Sequence, residues 1–300
     1  MNQGKRAVVT GATSGIGEAI ARRLAAEGMT VVMVGRSDER LNAARRRVTA
    51  AVPGAEVKLE RTDLSLLGDV RALAERLAAD VVPDIVISNA ATIAGIRDRT
   101  PEGIQPTLAT NHLAPYLLMR SLIEPIGQRP ARFIVVGASP TGLTRVPVDL
   151  TDLDCATGRG LGIAPSFKPF VAYGRTKNMN AMFVYALARR LTNTRITVNG
   201  AHPGIIKGTG LDQNIGGTLR LLNLLSKPFL SGPDTGADTP AWLATAPEVD
   251  GVTGKFFVRR KQVPTAPHTT DVARCDQLWD ESARLVGLTP ALSTRNSGRG

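Results

Sequence analysis

A short apolar run near the start of the chain leads directly into a glycine-rich segment and then into an amphipathic one. Residues 7–9 are AVV, residues 10–17 are TGATSGIG, and Ile16, Ile20 and Leu24 follow at helical spacing. The pattern predicts a strand, a tight turn and a helix. The beginning of such a helix presents unpaired N–H groups and the positive end of its dipole, which suits a pyrophosphate.

The glycines of this turn allow two interpretations. Gly11, Gly15 and Gly17 leave no side chains where the turn would have to come close to the backbone of a ligand. Alternatively, the turn only joins a strand to a helix, because a glycine-rich turn is weak evidence by itself. Other parts of the chain have to decide between the two.

Apolar runs alternate with amphipathic stretches along most of the 300 residues. The predicted strands are residues 7–9, 30–34, 55–60, 84–88, 132–138, 195–201 and 254–258. The first predicted helix begins near residue 15. The other predicted helices cover residues 38–51, 66–79, 103–125, 172–191 and 233–245. This alternation predicts an α/β protein with a Rossmann-type doubly wound sheet of about seven parallel strands and helices on both faces. We expect a single domain over residues 1–292 and a disordered tail over residues 293–300.

Composition excludes several classes of function. The net charge of +11 raises the question of an acidic partner, but the arginines occur in short clusters and aromatic residues make up only 4%, which disfavours nucleic-acid binding. Cys155 and Cys275 are far apart, so no disulfide framework is indicated. His112, His202 and His268 are equally scattered, so we expect no metal site.

The chain shows no targeting or membrane signal. It begins MNQGKRAVVTG and enters the first predicted strand at once, which leaves no room for a signal peptide. No apolar run approaches the length of a membrane span. We therefore expect a cytoplasmic protein without a membrane span, whose state as a monomer or homo-oligomer the sequence leaves open.

Seven short motifs follow one another in order: TGATSGIG, Asp63-Leu64, Asn89-Ala90-Ala91, Asn111, Ser139, Tyr173-x-x-x-Lys177 and Pro203-Gly204. This order resembles that of the short-chain dehydrogenase/reductases, over roughly residues 5–258. The stretch SKPFLSGPDTGADTPAWLATAPEVDGVTGKFF resembles the subgroup of retinol dehydrogenases and their bacterial and plant relatives, which include protochlorophyllide reductase. The resemblance also places a substrate lid at residues 205–232.

The resemblance implies a catalytic group of Asn111, Ser139, Tyr173 and Lys177. Reduction of a carbonyl by a nicotinamide requires a proton donor for the developing alkoxide, and Tyr173 is the candidate acid. Lys177 lies one helical turn away, and its charge, with that of the oxidised nicotinamide, is expected to lower the tyrosine pKa. By resemblance, Ser139 holds the substrate oxygen and Asn111 anchors a water chain. The alternative is a surface Tyr and Lys that are four residues apart by chance.

The resemblance also implies a set of residues that contact a dinucleotide. Asp63 would bond the adenine amino group, Leu64 would cover the ring, Asn89 would support the strand edge and Ala90 would lie against the ribose. The full set is Gly11, Ser14, Gly15, Ile16, Gly17, Arg36, Asp63, Leu64, Asn89, Ala90, Tyr173, Lys177, Pro203, Gly204 and Ile206.

The end of the second predicted strand favours NADP over NAD. Enzymes that use NAD generally place an acidic residue there to hold the ribose 2′-hydroxyl. Here Gly35 is followed by Arg36, whose guanidinium suits a 2′-phosphate, and Arg40 could assist. One departure from the family pattern concerns the nicotinamide end, because Gly208 stands where the family usually has a threonine.

Two segments are expected to form the substrate pocket. The lid carries an apolar stripe that could face a ligand or only pack against the core: Leu211, Ile215, Leu219, Leu222 and Leu225. Residues 140–170 should form the opposite rim, with Phe167, Phe170 and the acidic run 149–154. A bulky, largely apolar small molecule follows as the substrate hypothesis.

The sequence therefore predicts an NADPH-dependent oxidoreductase that interconverts a carbonyl and an alcohol. A dehydratase, isomerase or cyclase that binds NADP on the same scaffold is the alternative, motivated by the unusual residues 137–140, GASP. A non-enzymatic NADPH-sensing regulator is a third hypothesis. It is disfavoured because Tyr173 and Lys177 are both present.

Overall fold

A computed structural model describes residues 2–137, 146–162, 167–204 and 232–292, and in this part of the chain eight strands form one sheet. Their order across the sheet is β3-β2-β1-β4-β5-β6-β7-β8. The strands are β1 (Arg6–Thr10), β2 (Thr30–Gly35), β3 (Val57–Arg61), β4 (Ile85–Ser88), β5 (Ala131–Val136), β6 (Ile196–His202), β7 (Lys255–Val258) and β8 (Lys261–Gln262). The doubly wound α/β prediction is confirmed, because the order reverses between β1 and β4.

Seven strands are parallel, as expected, and the eighth is a short antiparallel addition. β7 and β8 are joined by Arg259 and Arg260, which have φ angles of 50° and 61°. Both positions of such a two-residue hairpin normally favour Asn or Gly, so two arginines do not predict this turn. Asp238 compensates by accepting a hydrogen bond from the Arg260 Nε at 2.8 Å.

Helices cover both faces of the sheet. They are α1 (Gly15–Ala26), α2 (Asp38–Ala51), α3 (Leu67–Ala79), α4 (Pro106–Leu108), α5 (Ala114–Ile126), α6 (Lys168–Arg190), α7 (Pro233–Thr245), α8 (Pro267–Thr270) and α9 (Val272–Leu285). One core contains side chains of α1, α2 and α7, and the other contains side chains of α3, α5, α6 and α9. Strand β1 shows the division, because Ala7 and Val9 enter the first core and Val8 enters the second.

Two helices differ from the prediction because of their prolines. α6 begins at Lys168 rather than at residue 172, since Pro169 fits the first helical turn. The helix predicted over residues 103–125 is divided by a π-helical turn, Ala109–Leu113, in which the N–H of Ala114 bonds to the carbonyl of Ala109. Pro115 follows directly and has no N–H to donate, which disturbs the ordinary α-helical pattern at this point.

The last helix, α9, was not predicted although its sequence carries a helical signal. Asp271 caps it by accepting from the N–H of Arg274, and Cys275, Leu278 and Trp279 are buried at spacings of three and four residues. The Trp279 ring lies 5.0 Å from Tyr116 and 6.2 Å from Phe183, measured between centroids. This helix therefore completes the second core by packing against α5 and α6.

Within the described ranges, none of the helices combines the length and apolarity needed to cross a bilayer. The same residues contain no cluster of His, Cys, Asp and Glu that could hold a metal ion.

The fully buried His112 makes stability depend on pH. Its Nε2 is 2.8 Å from the Ser282 Oγ, and burial lowers the pKa of His112 to about 4. Because the folded pKa lies below the normal value of about 6.5, the contribution is complete above pH 6.5 and is lost as pH falls towards 4. We expect a decrease of about 3 kcal/mol in the free energy of unfolding over this range.

Urea unfolding at several pH values tests this effect. The variant His112→Asn should be less stable at pH 7 but should show a shallower decline between pH 6.5 and 4. His268→Gln is the control, because His268 is less buried than His112. This variant should leave the decline in the free energy of unfolding between pH 6.5 and 4 mostly unchanged. Equal slopes in wild type and His112→Asn would contradict the assignment.

Candidate active site

The carboxyl ends of β1 and β4 are joined where the strand order reverses. The Thr10 Oγ1 accepts hydrogen bonds from the backbone N–H groups of Asn89 at 3.0 Å and Ala90 at 3.1 Å. The Asn89 amide in turn donates to the Thr10 carbonyl at 3.0 Å. This is the supporting position expected for Asn89. It fixes the edge of the sheet at which ligands of such folds bind.

Two glycines of the first turn are required by the packing of the protein itself. Gly11 has a φ of 65°, and a Cβ there would lie 2.9 Å from the Ala90 Cα. A Cβ on Gly17 would lie 2.2 Å from the Gly11 carbonyl oxygen. Protein atoms take both Cβ positions, so the packing of the chain itself requires glycine at positions 11 and 17, and a close approach of the turn to a ligand stays a prediction.

The beginning of α1 is nevertheless open to an anion. Ser14 occupies the N-cap position but its side chain makes no capping hydrogen bond, and Gly15 follows with a φ of 59°. The first turn contains Ile16 and Gly17, whose N–H groups have no acceptor within the helix. Glu18 is held by a salt bridge to Arg47 at 2.6 Å. The helix therefore presents free donors at the switch point of the sheet.

Tyr173 and Lys177 lie together on α6, one turn apart. The Lys177 Nζ is 5.3 Å from the centre of the Tyr173 ring and donates to the Val136 carbonyl at 3.3 Å, at the end of β5. Lys177 is buried, which excludes the alternative of an accidental pair of surface residues.

Burial shifts the two residues in opposite directions. It raises the pKa of Tyr173 to about 12 and lowers the pKa of Lys177 to about 8. In the chain by itself the raised pKa of Tyr173 comes from burial, and the lowering expected from Lys177 together with the oxidised nicotinamide stays a prediction. At pH 7 Tyr173 is a neutral phenol and most of Lys177 is protonated.

Asn111 connects three segments around this pair. Its Oδ1 accepts from the Thr92 N–H at 2.8 Å, and its Nδ2 donates to the Thr92 carbonyl at 3.0 Å and the Thr176 Oγ1 at 3.1 Å. The π-helical turn, the segment after β4 and α6 are thereby joined next to Lys177. The anchoring of a water chain by Asn111 stays a prediction.

His202 is a site residue that the sequence analysis missed. It ends β6 beside Gly137, and its Nδ1 is buried without a hydrogen-bond partner among the described residues. Burial lowers its pKa, the Lys177 charge acts in the same direction, and a hydrogen bond with the Gly137 backbone opposes both. Its position directly before Pro203 and Gly204 was the available signal, but the histidines were considered only as metal ligands.

The other end of the site lies beyond β2 and β3. A Cβ on Gly35 would lie 2.6 Å from the Thr13 Cγ2. Arg36 is exposed, and its side chain makes no ion pair or hydrogen bond within the described part of the chain. Asp63 accepts from the Ser65 N–H at 2.9 Å, and Leu64 is buried in the second core.

Several predicted site residues cannot be placed. Ser139 and Ile206 lie outside the described residues, and so do nearly all of the predicted lid and the whole predicted tail. On the described part of the opposite rim, Phe167 is 52% exposed and Phe170 is partly buried. Pro203 and Gly204 follow β6 at the same sheet edge as the other site residues, and Gly204 has a φ of 88°.

The site as a whole suits a nicotinamide dinucleotide. Free N–H groups at α1 fit a pyrophosphate, and within the described residues Arg36 makes no ion pair and the buried His202 Nδ1 has no hydrogen-bond partner. These three features lie along one edge of the sheet, at the ends of β1, β2 and β6.

Comparisons with known proteins agree with this geometry. Residues 5–150 match the family model for short chain dehydrogenase. The chain is 36% identical over 289 residues to DnrU of Streptomyces sp. (strain C5), which carries the name of a daunorubicin C-13 ketoreductase; the match covers 95% of this chain and 94% of that protein. It is 33% identical over 303 residues to human retinol dehydrogenase 14, covering 95% of this chain and 87% of the relative.

A solved structure shows the same fold. The landomycin C-6 ketoreductase LanV, crystallised with NADP and rabelomycin, is 26% identical, has a TM-score of 0.62, and is matched over 86% of this chain and 95% of its own. Because identity above 30% extends over nearly the whole length of its relatives, the chain belongs to the retinol dehydrogenase-like subgroup of the short-chain dehydrogenase/reductase family and is an oxidoreductase of the carbonyl/alcohol class.

Proposed function

We propose that the protein is an NADPH-dependent oxidoreductase that interconverts a ketone or aldehyde and an alcohol on a bulky, largely apolar small molecule. The observation that carries the proposal is the pair of Tyr173 and Lys177 on α6, in which the buried Lys177 is fixed at the carboxyl end of β5 through the Val136 carbonyl.

The protonation states of this pair suit carbonyl reduction at neutral pH. The cofactor, when bound, would supply a hydride to the carbonyl carbon. Tyr173, neutral because burial raises its pKa to about 12, donates its proton to the carbonyl oxygen. Lys177 carries a positive charge at pH 7 and stabilises the phenolate that remains. Ser139 is proposed to hold the substrate oxygen by a hydrogen bond.

Steric and electrostatic features at β2 support NADP. A carboxylate at position 35, where an NAD enzyme would carry it, would collide with Thr13. Arg36, next along the chain, is exposed and free to bind a 2′-phosphate in a bidentate manner. LanV, which shares the fold, was crystallised with NADP.

The names of the relatives support a bulky apolar substrate. DnrU is named for a ketone of daunorubicin, LanV holds rabelomycin, and retinol dehydrogenase 14 is named for retinol. The exposed Phe167 offers an apolar surface at the rim of the pocket. The non-redox alternative rests on residues 137–140, most of which are outside the described ranges, and no feature of the described residues favours it.

Replacing Tyr173 by Phe tests the proposed acid. We expect kcat for reduction to fall by about 10²- to 10⁴-fold, the usual contribution of a positioned proton donor, with little change in the Kd for NADPH. Nicotinamide absorbance with anthracycline ketones and retinal as substrates measures the first quantity, and NADPH fluorescence titration measures the second.

Tyr185→Phe is the matched control, because Tyr185 lies on the same helix and its hydroxyl forms a hydrogen bond with the Thr265 hydroxyl, away from Lys177 by about two helical turns. It should retain turnover. Turnover of Tyr173→Phe at the wild-type rate would remove Tyr173 as the acid. Product formation without net nicotinamide change would rule out the redox proposal and favour the alternative.

Replacing Arg36 by Ala tests the assignment of the 2′-phosphate. Loss of a charge-assisted hydrogen bond should weaken NADPH binding by about 10- to 100-fold and leave NADH binding unchanged. Isothermal titration with both cofactors measures this difference. Arg45→Ala, an exposed arginine of α2 that bonds to Asn42, is the control and should bind both cofactors as wild type does. An equal loss for NADPH and NADH would contradict the assignment.

The contact between Gly35 and Thr13 predicts how cofactor preference responds to mutation. Gly35→Asp alone should lower stability by more than about 1 kcal/mol through overpacking and should not improve NADH binding. Adding Thr13→Ser removes the Cγ2 atom that would collide with a side chain at position 35. The double variant should therefore regain stability and bind NADH more tightly than Gly35→Asp does. Thermal unfolding and NADH titration of both variants, with Thr13→Ser as the control, test the steric argument. A Gly35→Asp variant of wild-type stability would contradict it.

A further inference from the structure

A buried guanidinium lies on α6 between the two proposed catalytic residues. Arg175 is 4% exposed, and no salt bridge to it exists within the described residues. Its Nε is also buried without a hydrogen-bond partner there. Removing a guanidinium from water without a carboxylate partner is unfavourable, so the contacts that Arg175 does make require an explanation.

Those contacts reach residues 146–162, which are part of the opposite rim predicted over residues 140–170. In the argument about Arg175, the word rim means residues 146–162. The Arg175 Nη2 donates to the Arg159 carbonyl at 2.8 Å, and the Nη1 donates to the Cys155 Sγ at 3.5 Å. A Cβ on Gly160 would lie 2.8 Å from the Nη2. The guanidinium therefore fills the space directly beneath the rim and bonds to it at two points.

The rim has a specific folded conformation at these points. Cys155 has a φ of 57°, a conformation that is unfavourable for a residue other than glycine. Successive turns follow from it, since the N–H of Cys155 bonds to the Asp152 carbonyl and the N–H of Gly158 bonds to the Cys155 carbonyl. The Asp152 carboxylate accepts from the N–H of Ala156 at 2.8 Å. The Arg175 contact is thus made to the most constrained part of the rim.

A further contact to the rim is an exposed ion pair, which is weaker by its nature. Arg99, in the segment after β4, is 3.3 Å from Asp154, and both side chains are about one-third exposed. Solvent-accessible ion pairs of this kind contribute little, because water and salt screen them. A small apolar cluster of Cys155, Leu161 and Ala172 adds packing between the rim and α6.

We propose that Arg175 is a positioning residue that fixes the rim relative to Tyr173 and thereby determines which bulky substrates the pocket accepts. Arg175 and Tyr173 lie on the same helix with one residue between them. A rim that is bonded to Arg175 therefore stays at a constant distance from the Tyr173 hydroxyl. The effect of Arg175 on substrate selection rests on the proposed function. The attachment of the rim by Arg175 does not depend on it and is tested first.

Thiol reactivity measures the position of the rim independently of activity. Cys155 and Cys275 are both buried, burial raises the pKa of both thiols, and Cys275 lies on α9 rather than in the rim. The variant Arg175→Met keeps an unbranched, flexible side chain, although a shorter one, and removes all of its donors. Reaction with a disulfide reagent such as DTNB, with each site identified by mass spectrometry, should be about tenfold or more faster at Cys155 and unchanged at Cys275.

Two further variants keep this test decisive. Arg175→Lys retains a donor and should restore part of the protection of Cys155. Arg189→Met is the matched control, because Arg189 also lies on α6 but bonds to Asp276, and it should leave Cys155 protected. The proposal that Arg175 fixes the rim would be overturned if Arg175→Met raised the reaction rates of both cysteines equally. It would also be overturned if the reaction rate of Cys155 did not rise.

Steady-state kinetics then tests the effect on substrates. For Arg175→Met we expect KM for a bulky ketone to rise by about tenfold, with kcat, the Kd for NADPH and the kinetics of a small ketone nearly unchanged. An equal fall of kcat for both substrates would overturn the specificity role. If the wild-type protein reduces no ketone, the proposed function fails, whereas the thiol result still decides whether Arg175 positions the rim.

Discussion

The junction between β1 and β4 is the constraint on which the rest of the structure depends. One hydroxyl, the Thr10 Oγ1, accepts from the N–H groups of both Asn89 and Ala90 and so brings the two strand ends together. The strand order reverses at this junction, which opens a crevice between helices that leave in opposite directions. The same proximity places Ala90 against the turn and makes glycine necessary at position 11. Close packing of the two strand ends and the open beginning of α1 are thus parts of one arrangement.

Burial determines the chemistry at the other end of the crevice. The low-dielectric site disfavours both the phenolate of Tyr173 and the ammonium of Lys177, so their pKa values move apart, to about 12 for the tyrosine and about 8 for the lysine. Both groups therefore still carry their protons at neutral pH, which is the state that a proton donor and its supporting cation require. The Val136 carbonyl and the Asn111–Thr176 hydrogen bond hold this helix face against β5 and the π-helical turn. Rigid elements rather than loops thus fix the proposed catalytic pair.

Sequence patterns predicted what depends on local periodicity and missed what depends on distant contacts. The bounds of α2 and α7 were predicted correctly, because a cap or proline and an apolar spacing lie within each segment. The hairpin at Arg259 was missed because its positive φ angles are stabilised by Asp238, which belongs to α7. The close packing at Gly11 and Gly17, the raised pKa of Tyr173 and the burial of the His202 Nδ1 all depend on how the chain folds around these residues. None of these can be seen from the order of residues alone.

The separation of the cofactor side from the substrate side has a physical basis in α6. Tyr173 and Lys177 face the end of β5, whereas Arg175, between them, bonds to the rim. One of the two groups it bonds is the main-chain carbonyl of Arg159, which any residue at that position would present. The rim could therefore change its side chains, and with them the shape of the pocket, while keeping this attachment to the helix. A buried guanidinium without a salt bridge in the described part of the chain contributes little to stability, so positioning of the rim explains Arg175 better than folding does.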